Sequence, residues 1–192
     1  MKRNRTSLRP PASLLLRRLA ALLLTVAVVG TPARAQELVR VSRVVDADTY
    51  EVLSQSRRER VRLLGVDAPE RSQPFGPAAT DSVRVLLSAA GGLVELTRVG
   101  TDRYGRRTLG AVRVRLAPTQ QLGTLDSVLV ARGWAWAYAP GRQRVRWVQE
   151  QQRAQAGGLG LWRCGVGAAV PPWLWREFKQ EIKRRYRVDC PR

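Results

Sequence analysis

The sequence predicts an α+β fold that is mainly β: an OB-fold five-stranded barrel with three helices, followed by a basic C-terminal helix. Two observations lead to this prediction. Short apolar or alternating runs, which favour strands, flank a segment whose apolar residues recur at helical spacing. In chain order the segments give three strands, one helix, two strands and two further helices. Five strands with a helix after the third is the plan of the OB fold.

The predicted strands are short and bounded by polar residues. Leu38 to Val45 alternates loosely and is the first strand. The stretch from Val44 to Glu70 contains two apolar runs on either side of a polar break, Ser54 to Arg60, which is the pattern of a β-hairpin. Leu93 to Val99 and Thr108 to Leu116 are the fourth and fifth strands.

Three helices are predicted from apolar residues spaced three and four apart. The first ends at Gly91-Gly92, since glycine commonly terminates helices. The second ends near Gly133, and the third, Val145 to Ala156, ends at Gly157-Gly158. The apolar residues that define the first two helices are Val83, Leu86, Leu87 and Ala90, and Leu122, Leu125, Val128 and Leu129.

The segment 1–35 has the composition of a secretory signal. Its basic start precedes the apolar run Leu19 to Val29, which is shorter than the ~20 apolar residues that span a bilayer. Ala33-Arg34-Ala35 has the small-x-small pattern of a cleavage site. We therefore expect cleavage before Gln36 and a periplasmic or secreted bacterial protein. The alternative is an envelope-associated protein held by an uncleaved N-terminal anchor.

The net charge of +19 is large, and loss of the signal would leave 27 basic against 15 acidic residues, or +12. A strongly basic domain favours nucleic acid or an anionic membrane as partner, although a genome rich in arginine codons also raises the charge. The chain contains no His, which excludes His-based triads, His-based acid–base catalysis and most zinc sites. Hydrolysis would therefore depend on carboxylates, Arg, Tyr or a hard metal ion.

Two aspartates in the predicted hairpin form a candidate metal site. Asp48 and Asp67 lie symmetrically about Arg57-Arg58, so an unbulged hairpin would place them side by side. Two close carboxylates repel unless a cation lies between them, and hard oxygen ligands suit Ca²⁺ or Mg²⁺. Glu70 and Arg62 lie in the same stretch. Metal ligands, a candidate base and a basic side chain together predict chemistry on a phosphate ester.

Residues 164–192 form a basic, Trp-rich C-terminal extension to a domain predicted at 36–163. Pro171-Pro172 marks a break, and an apolar stripe at helical spacing follows it. One interpretation is a helix that packs on the domain and is tied down by a disulfide between Cys164 and Cys190. The other is a basic surface that contacts nucleic acid or anionic lipid. The stripe consists of Leu174, Trp175, Phe178, Ile182 and Tyr186, surrounded by Lys179, Lys183, Arg184, Arg185 and Arg187.

Three motifs carry a resemblance to a known family: the segments 44–49, 62–70 and 102–106, which read VVDADT, RLLGVDAPE and DRYGR. In this order and at compatible spacing they resemble the micrococcal (thermonuclease-like) nuclease family. The likeness covers roughly residues 38 to 163. It implies an OB-type five-stranded barrel with three helices. It also implies calcium-dependent cleavage of phosphodiesters in DNA and RNA that leaves 3′-phosphates.

The resemblance also implies metal-binding and catalytic roles. By motif position, Asp48 and Asp67 look like calcium carboxylates, and the backbone carbonyl of Ala68 would be a further ligand. Asp46 lies where the family has an acidic residue beside the metal shell, although capping of the turn by a bond to Thr49 is the alternative. The member of the motif that matches the proposed general base is Glu70.

Further matches concern the substrate. Arg62 and Arg106 match the two arginines that hold the scissile phosphate, and Tyr104 resembles a nucleotide-contacting tyrosine. Tyr138 is either the nucleotide-stacking residue or displaced from that position, because the surrounding segment aligns poorly. The loop from Glu70 to Phe75 is much shorter than in the best-known member, which leaves base positioning and substrate preference open.

These observations together predict an exported, metal-dependent, sugar-nonspecific endonuclease that acts on DNA and RNA as a monomer without an obligate protein partner. Ca²⁺ is the expected cofactor, with Mg²⁺ or Mn²⁺ as alternatives. The rival function is a catalytically silent OB-fold module that binds nucleic acid. Such a module would keep the barrel and the basic surface but lose part of the set of two aspartates, one glutamate and two arginines. Contact of the C-terminal helix with an anionic membrane is a further alternative.

Overall fold

The structure is a computed structural model, and it describes residues 35–139 and 145–186. The predicted signal segment lies outside these ranges except for its last residue, Ala35, so its cleavage stays a prediction. In the described ranges, no helix combines the length and the apolar character needed to cross a bilayer. The strands in the same ranges are β1 (Gln36–Asp46), β2 (Thr49–Ser54), β3 (Arg57–Leu63), β4 (Val66–Asp67), β5 (Leu93–Thr101), β6 (Thr108–Leu116), β7 (Gln121–Thr124) and β8 (Trp136–Ala137).

Five of these strands close into a barrel, which confirms the predicted fold class. The hydrogen-bonded order is β3-β2-β1-β5-β6-β7, with antiparallel neighbours throughout. A parallel pairing of β3 with β6 closes β1, β2, β3, β5 and β6 into a ring, with Arg62 beside Leu109. Closure leaves no free edge between these strands. A separate two-stranded sheet of β4 and β8 pairs Asp67 with Trp136.

The barrel core follows from alternation along each strand. Successive side chains of a strand point to opposite faces, so every second residue enters the interior. In β6 the buried positions are Gly110, Val112 and Val114, whereas Arg113 and Arg115 between and after them are more exposed. The interior is filled by β-branched and leucine side chains, among them Val39, Val52, Val61, Val94 and Leu96.

The three helices predicted for the barrel domain are present, with shifted starts. Leu122 lies in strand β7 rather than in the second helix. The third helix begins three residues later than predicted because Trp147 takes a left-handed conformation, with φ of 61°, at its N-terminal boundary. In the described chain the α-helices are α1 (Gly76–Ala89), α2 (Leu125–Ala131), α3 (Val148–Ala156), α4 (Pro172–Glu177) and α5 (Gln180–Arg185), with 3₁₀ turns at Gly160–Trp162 and Val166–Ala168.

The register of the β2–β3 hairpin differs from the predicted one. The turn lies at Gln55-Ser56, whose φ values of 46° and 68° are both positive, and Thr49 pairs with Arg62. The hairpin is therefore not centred on Arg57-Arg58, and the prediction that it places Asp48 directly opposite Asp67 is wrong. The backbone carbonyl of Asp48 instead accepts a hydrogen bond from the Leu63 amide at 2.9 Å.

The C-terminal extension packs on the domain as two short helices. The predicted C-terminal helix is split because Phe178 and Lys179 are extended, with ψ values of 136° and 154°. Trp175 on α4 is only 2% exposed, as the packing interpretation requires. Cys164 forms a disulfide, but its predicted partner Cys190 lies outside the described residues, so that pairing stays a prediction.

Candidate active site

Two buried aspartates meet at one arginine near the end of strand β3. Asp48 lies in the turn between β1 and β2 and is 4% exposed, and Asp67 ends β4 and is 1% exposed. Arg62 Nη2 donates to Asp67 Oδ1 at 2.9 Å, and Arg62 Nη1 forms an ion pair with Asp48 Oδ2. A bend at Leu64-Gly65 returns the chain so that β4 lies beside the turn. The aspartates are thus brought together by this bend rather than by hairpin register.

Hydrogen bonds from a backbone amide and a side-chain hydroxyl fix the first aspartate. Asp48 Oδ2 accepts the amide of Ala68 at 2.6 Å, and Asp48 Oδ1 accepts the hydroxyl of Thr49 at 3.1 Å. Asp46 caps the turn, because its Oδ1 accepts the amide of Asp48 at 3.1 Å; the sequence suggested Thr49 as the partner of this cap. The first and second motifs are therefore joined at Asp48 and Ala68, which are separated by 20 residues.

Burial makes the negative charge of this pair costly. Burial raises the pKa of Asp48 to about 7, although the Arg62 guanidinium opposes the shift. Burial also raises the pKa of Asp67, against the hydrogen bond from Arg176 and the charge of Arg62. For Arg62, burial disfavours the charged form, but the two aspartates outweigh it and raise the pKa. Two buried carboxylates that share one arginine are stabilised in their charged forms by a nearby cation.

Glu70 follows β4 and contacts an arginine that the sequence did not single out. Arg176, on α4, donates from Nη1 to Glu70 Oε1 at 2.8 Å and from Nη2 to Asp67 Oδ2 at 2.9 Å. The sequence indicated only that the extension is basic. The contact joins residues more than a hundred positions apart, and no local pattern distinguishes this arginine from its neighbours.

The predicted second arginine lies on the turn between β5 and β6. Arg106 is exposed, and its amide donates to Asp102 Oδ1 at 2.8 Å. Within the described ranges, no hydrogen bond or ion pair joins Arg106 to Asp48 or Asp67. Tyr104 on the same turn is 61% exposed, with the guanidinium carbons of Arg103 and Arg106 at 4.5 and 5.8 Å from its ring centroid. The turn presents cations and an aromatic face to solvent.

Arg106 also lines a basic groove of about 560 Å³ between the β2–β3 hairpin and the β5–β6 turn. Two glutamates in the groove, Glu37 and Glu59, are both paired with Arg98. The basic residues that line it are Arg57, Arg58, Arg60, Arg98, Arg106 and Arg107. The excess of guanidinium groups suits a polyanion.

Tyr138 lies close to β4 in the backbone. Its amide donates to the carbonyl of Gly65 at 3.0 Å, directly after the β8 residues that pair with β4. The side chain is half-buried. This placement is near the strand that carries Asp67, and a stacking role for Tyr138 stays a prediction.

The ligand atoms available at this site are carboxylate and carbonyl oxygens, the type that a hard divalent cation binds. Ca²⁺ binds carboxylate and carbonyl oxygens, and the site offers two buried aspartates with the Ala68 carbonyl in the same segment. The described residues contain no group of three or more His, Cys, Asp or Glu side chains arranged to hold a metal ion. The expected ligand set has only two carboxylates, so further ligands would be the carbonyl and water. In this structure Arg62 and Arg176 contact the Asp67 oxygens that a cation would use.

Comparisons with known proteins identify the family of the chain. The family profile described as "Staphylococcal nuclease homologue" matches residues 60–164. The chain is 38% identical over 162 residues to "Protein ParB" of Escherichia coli, covering 82% of this chain and 89% of that protein. It is 37% identical over 161 residues to "Micrococcal nuclease" of Shigella flexneri, covering 79% and 87%. An "Uncharacterized endonuclease" of Haemophilus influenzae is 34% identical over 159 residues, covering 82% and 83%. The chain therefore belongs to the staphylococcal nuclease family.

Proposed function

We propose that the protein is an exported, calcium-dependent, sugar-nonspecific endonuclease that hydrolyses DNA and RNA to 3′-phosphate products. The observation that carries this proposal is the buried cluster in which Arg62 contacts both Asp48 and Asp67, with Glu70 three residues beyond. Relatives named micrococcal nuclease and endonuclease support the same reaction class. Mg²⁺ and Mn²⁺ are the alternative cofactors.

Different residues would have different roles in hydrolysis. Arg62 and Arg106 would hold the scissile phosphate through charge-assisted hydrogen bonds and offset the charge that grows in the transition state. Glu70 would accept a proton from a water molecule while the oxygen of that water forms a bond to phosphorus. The bond from phosphorus to the 5′-oxygen breaks, the 5′-oxygen takes a proton from solvent water, and the phosphate stays on the 3′-oxygen of the other fragment. A divalent cation held by Asp48 and Asp67 would supply further charge neutralisation at the phosphoryl oxygens.

The basic groove supports a polyanionic substrate. Its arginines lie on the β2–β3 hairpin, on strand β5 and on the β5–β6 turn, and this turn also carries Tyr104. Contacts to phosphates do not depend on base sequence. They weaken as the salt concentration rises, because the counterions that binding releases gain less entropy in a more concentrated solution. We therefore expect substrate affinity that falls steeply with salt and shows little base preference.

A catalytically silent OB module is the second candidate. The retained set of Asp48, Asp67, Glu70, Arg62 and Arg106 favours the enzyme, since a module that only binds nucleic acid has no need for buried acids. Export rests on the N-terminal signal pattern, and we propose a periplasmic or secreted monomer without an obligate protein partner. Fractionation with N-terminal sequencing would test the location and the cleavage before Gln36.

The decisive experiment is incubation of purified protein with DNA and with RNA, first with chelator and then with Ca²⁺, Mg²⁺ or Mn²⁺ restored. We expect no cleavage with chelator, cleavage of both nucleic acids with Ca²⁺, and product ends that are 3′-phosphates by phosphatase-dependent extension. Binding of nucleic acid without cleavage under every metal condition would favour the silent module instead.

A further inference from the structure

We propose that the C-terminal extension completes the active site by positioning Glu70, with Arg176 as the positioning residue for its side chain. This inference rests on the proposed function, because it assigns a role in that reaction to a segment outside the barrel. The described part of the extension, 164–186, holds Glu70 in two ways. One contact is to the carboxylate, and the other is to the backbone of the turn that carries it.

The carboxylate contact joins Glu70 to the buried metal-ligand candidate. The planar guanidinium of Arg176 bridges two acids, with Nη1 2.8 Å from Glu70 Oε1 and Nη2 2.9 Å from Asp67 Oδ2. Nη1 also lies 3.3 Å from Asp67 Oδ1. Asp67 is 1% exposed and is itself held by Arg62. The Arg176 guanidinium that binds Asp67 therefore has a fixed position, and it orients the Glu70 carboxylate.

The second oxygen of Glu70 is left for the reaction. Among the described residues, Arg176 is the sole hydrogen-bonding partner of the Glu70 carboxylate, through Oε1. Oε2 accepts no hydrogen bond within the same ranges. A general base needs one oxygen free to meet water within about 3 Å, and anchoring the other oxygen sets its direction.

The backbone contact runs through Gln73, which is 3% exposed. The amide of Glu70 donates to Gln73 Oε1 at 3.2 Å, and the amide of Gln73 donates to the Glu70 carbonyl at 2.8 Å. Gln73 Nε2 donates to the carbonyl of Val170 at 2.5 Å. A glutamine amide supplies both a donor and an acceptor, so one side chain ties the extension to the Glu70 turn.

The helix that carries Arg176 is itself anchored. Its neighbour Trp175 is 2% exposed, and Trp175 Nε1 donates to the hydroxyl of Ser72 at 3.4 Å. The Trp175 ring packs against Phe178 and Tyr186, with centroids 6.1 and 6.3 Å away. The buried indole therefore holds α4 against the segment 70–73, and Arg176 extends from a fixed backbone.

Kinetics of point variants test this role. Arg176→Gln removes the charge and leaves a shorter polar side chain. Arg176→Lys keeps the charge without the planar guanidinium, and Arg185→Gln removes one exposed charge from the same extension. kcat and KM are measured on a defined oligonucleotide at saturating Ca²⁺ and fixed salt, with thermal unfolding to verify the fold. Misplacing a reacting group by about 1 Å costs up to ~10²-fold, so we expect kcat to fall about 10²-fold in Arg176→Gln.

The control separates positioning from charge. We expect kcat to stay at the wild-type level in Arg185→Gln, which loses the same positive charge at an exposed position, and to fall only in Arg176→Gln. Arg176→Lys should lie between wild type and Arg176→Gln. An unchanged or raised kcat in Arg176→Gln would overturn the inference, and a raised kcat would identify Arg176 as a block.

A double variant tests whether Arg176 acts through Glu70. If it does, Arg176→Gln in a Glu70→Gln background lowers kcat by less than about 3-fold, because coupled residues are not additive. Full additivity of the two losses would contradict positioning of Glu70. Absence of hydrolysis by the wild-type chain with any cation would instead overturn the proposed function, and this inference with it.

Discussion

Arg62 donates a hydrogen bond from Nη2 to Asp67 Oδ1 at 2.9 Å, across the bend that separates β3 from β4. Its side chain is 16% exposed, and that of Asp67 is 2% exposed. The same guanidinium pairs with Asp48, so one arginine neutralises two buried carboxylates. The site is therefore a structural element of the fold as well as a candidate for chemistry.

Replacement of Arg62 should destabilise the protein. Arg62→Met leaves two buried carboxylates without their shared partner, and breaking a buried ion pair costs about 3–5 kcal/mol. We expect the free energy of unfolding from urea titration at pH 7 to fall by ~3 kcal/mol, since Arg176 still pairs with Asp67. Arg58→Met, an exposed control on the same strand, should change it by less than about 0.5 kcal/mol. Equal effects of the two changes would contradict the buried cluster.

Gly76→Ala should disturb both stability and catalysis. A Cβ at Gly76 would lie 1.9 Å from the Glu70 carbonyl oxygen, so the turn that carries Glu70 must move. Overpacking of this kind typically costs about 1–3 kcal/mol, and we expect a matching fall in thermal stability with reduced kcat. The control is Gly167→Ala, where a Cβ would meet no atom within 4 Å. A wild-type kcat in Gly76→Ala would show that the turn tolerates the shift.

The Arg98–Glu59 pair predicts a pH-dependent contribution to stability. Hydrogen bonds from Arg98 and then Thr108, with the charge of Arg98, lower the pKa of Glu59 against its burial. A carboxylate whose folded pKa is lowered stabilises the fold above its unfolded pKa, and that contribution is lost as the pH falls through the folded value. Because Arg98 is over one-third exposed, Arg98→Met should cost only ~1 kcal/mol at pH 7.

Urea unfolding of wild type and Arg98→Met at a series of pH values measures this difference. The difference in free energy of unfolding between the two proteins should be largest at neutral pH. It should shrink as the pH falls below the ordinary pKa of glutamate, since protonated Glu59 is no longer stabilised by the charge of Arg98. A difference that is the same at neutral and strongly acidic pH would mean that Arg98 acts by packing.

Arg106→Ala should lower activity without altering stability. Arg106 is exposed on a turn, and only its backbone amide makes a hydrogen bond in the described structure. Loss of one group that stabilises transition-state charge typically costs about 10²–10³ in rate, so we expect kcat/KM to fall by that factor. Arg115→Ala, an exposed control on β6, should retain wild-type kcat/KM at equal salt. Equal losses of kcat/KM in the two variants would mean that Arg106 contributes only to the overall positive charge of the protein.

Much of the fold was predictable because its signals are local. Strand β6 runs from Thr108 to Leu116 as predicted, since alternate residues enter the barrel. The first helix contains Val83, Leu86 and Leu87 of the four predicted apolar residues, whereas Ala90 lies at its C-terminal boundary. Gly91-Gly92 after it adopt positive φ. Arg62 was identifiable because a charge interrupts an apolar run.

The features that the sequence did not predict depend on tertiary structure. The hairpin turn at Gln55-Ser56 has positive φ without glycine or asparagine, so composition does not locate it within the polar break. The C-terminal stripe is periodic across Phe178, where the backbone is extended. The contact of Arg176 with Asp67 depends on packing of Trp175 against a turn about a hundred residues away in sequence.

Hydrolysis of DNA by wild type and Asp67→Asn, measured against Ca²⁺ concentration, tests the central claim most directly. Asp67 is the carboxylate that contacts both Arg62 and Arg176 and is expected to bind the cation. We predict that wild-type activity is absent with chelator and saturates with Ca²⁺, and that Asp67→Asn folds but retains below about 1% of the rate, a loss of the size that metal and charge stabilisation supply. Near wild-type turnover by Asp67→Asn, or cleavage in chelator, would contradict the account.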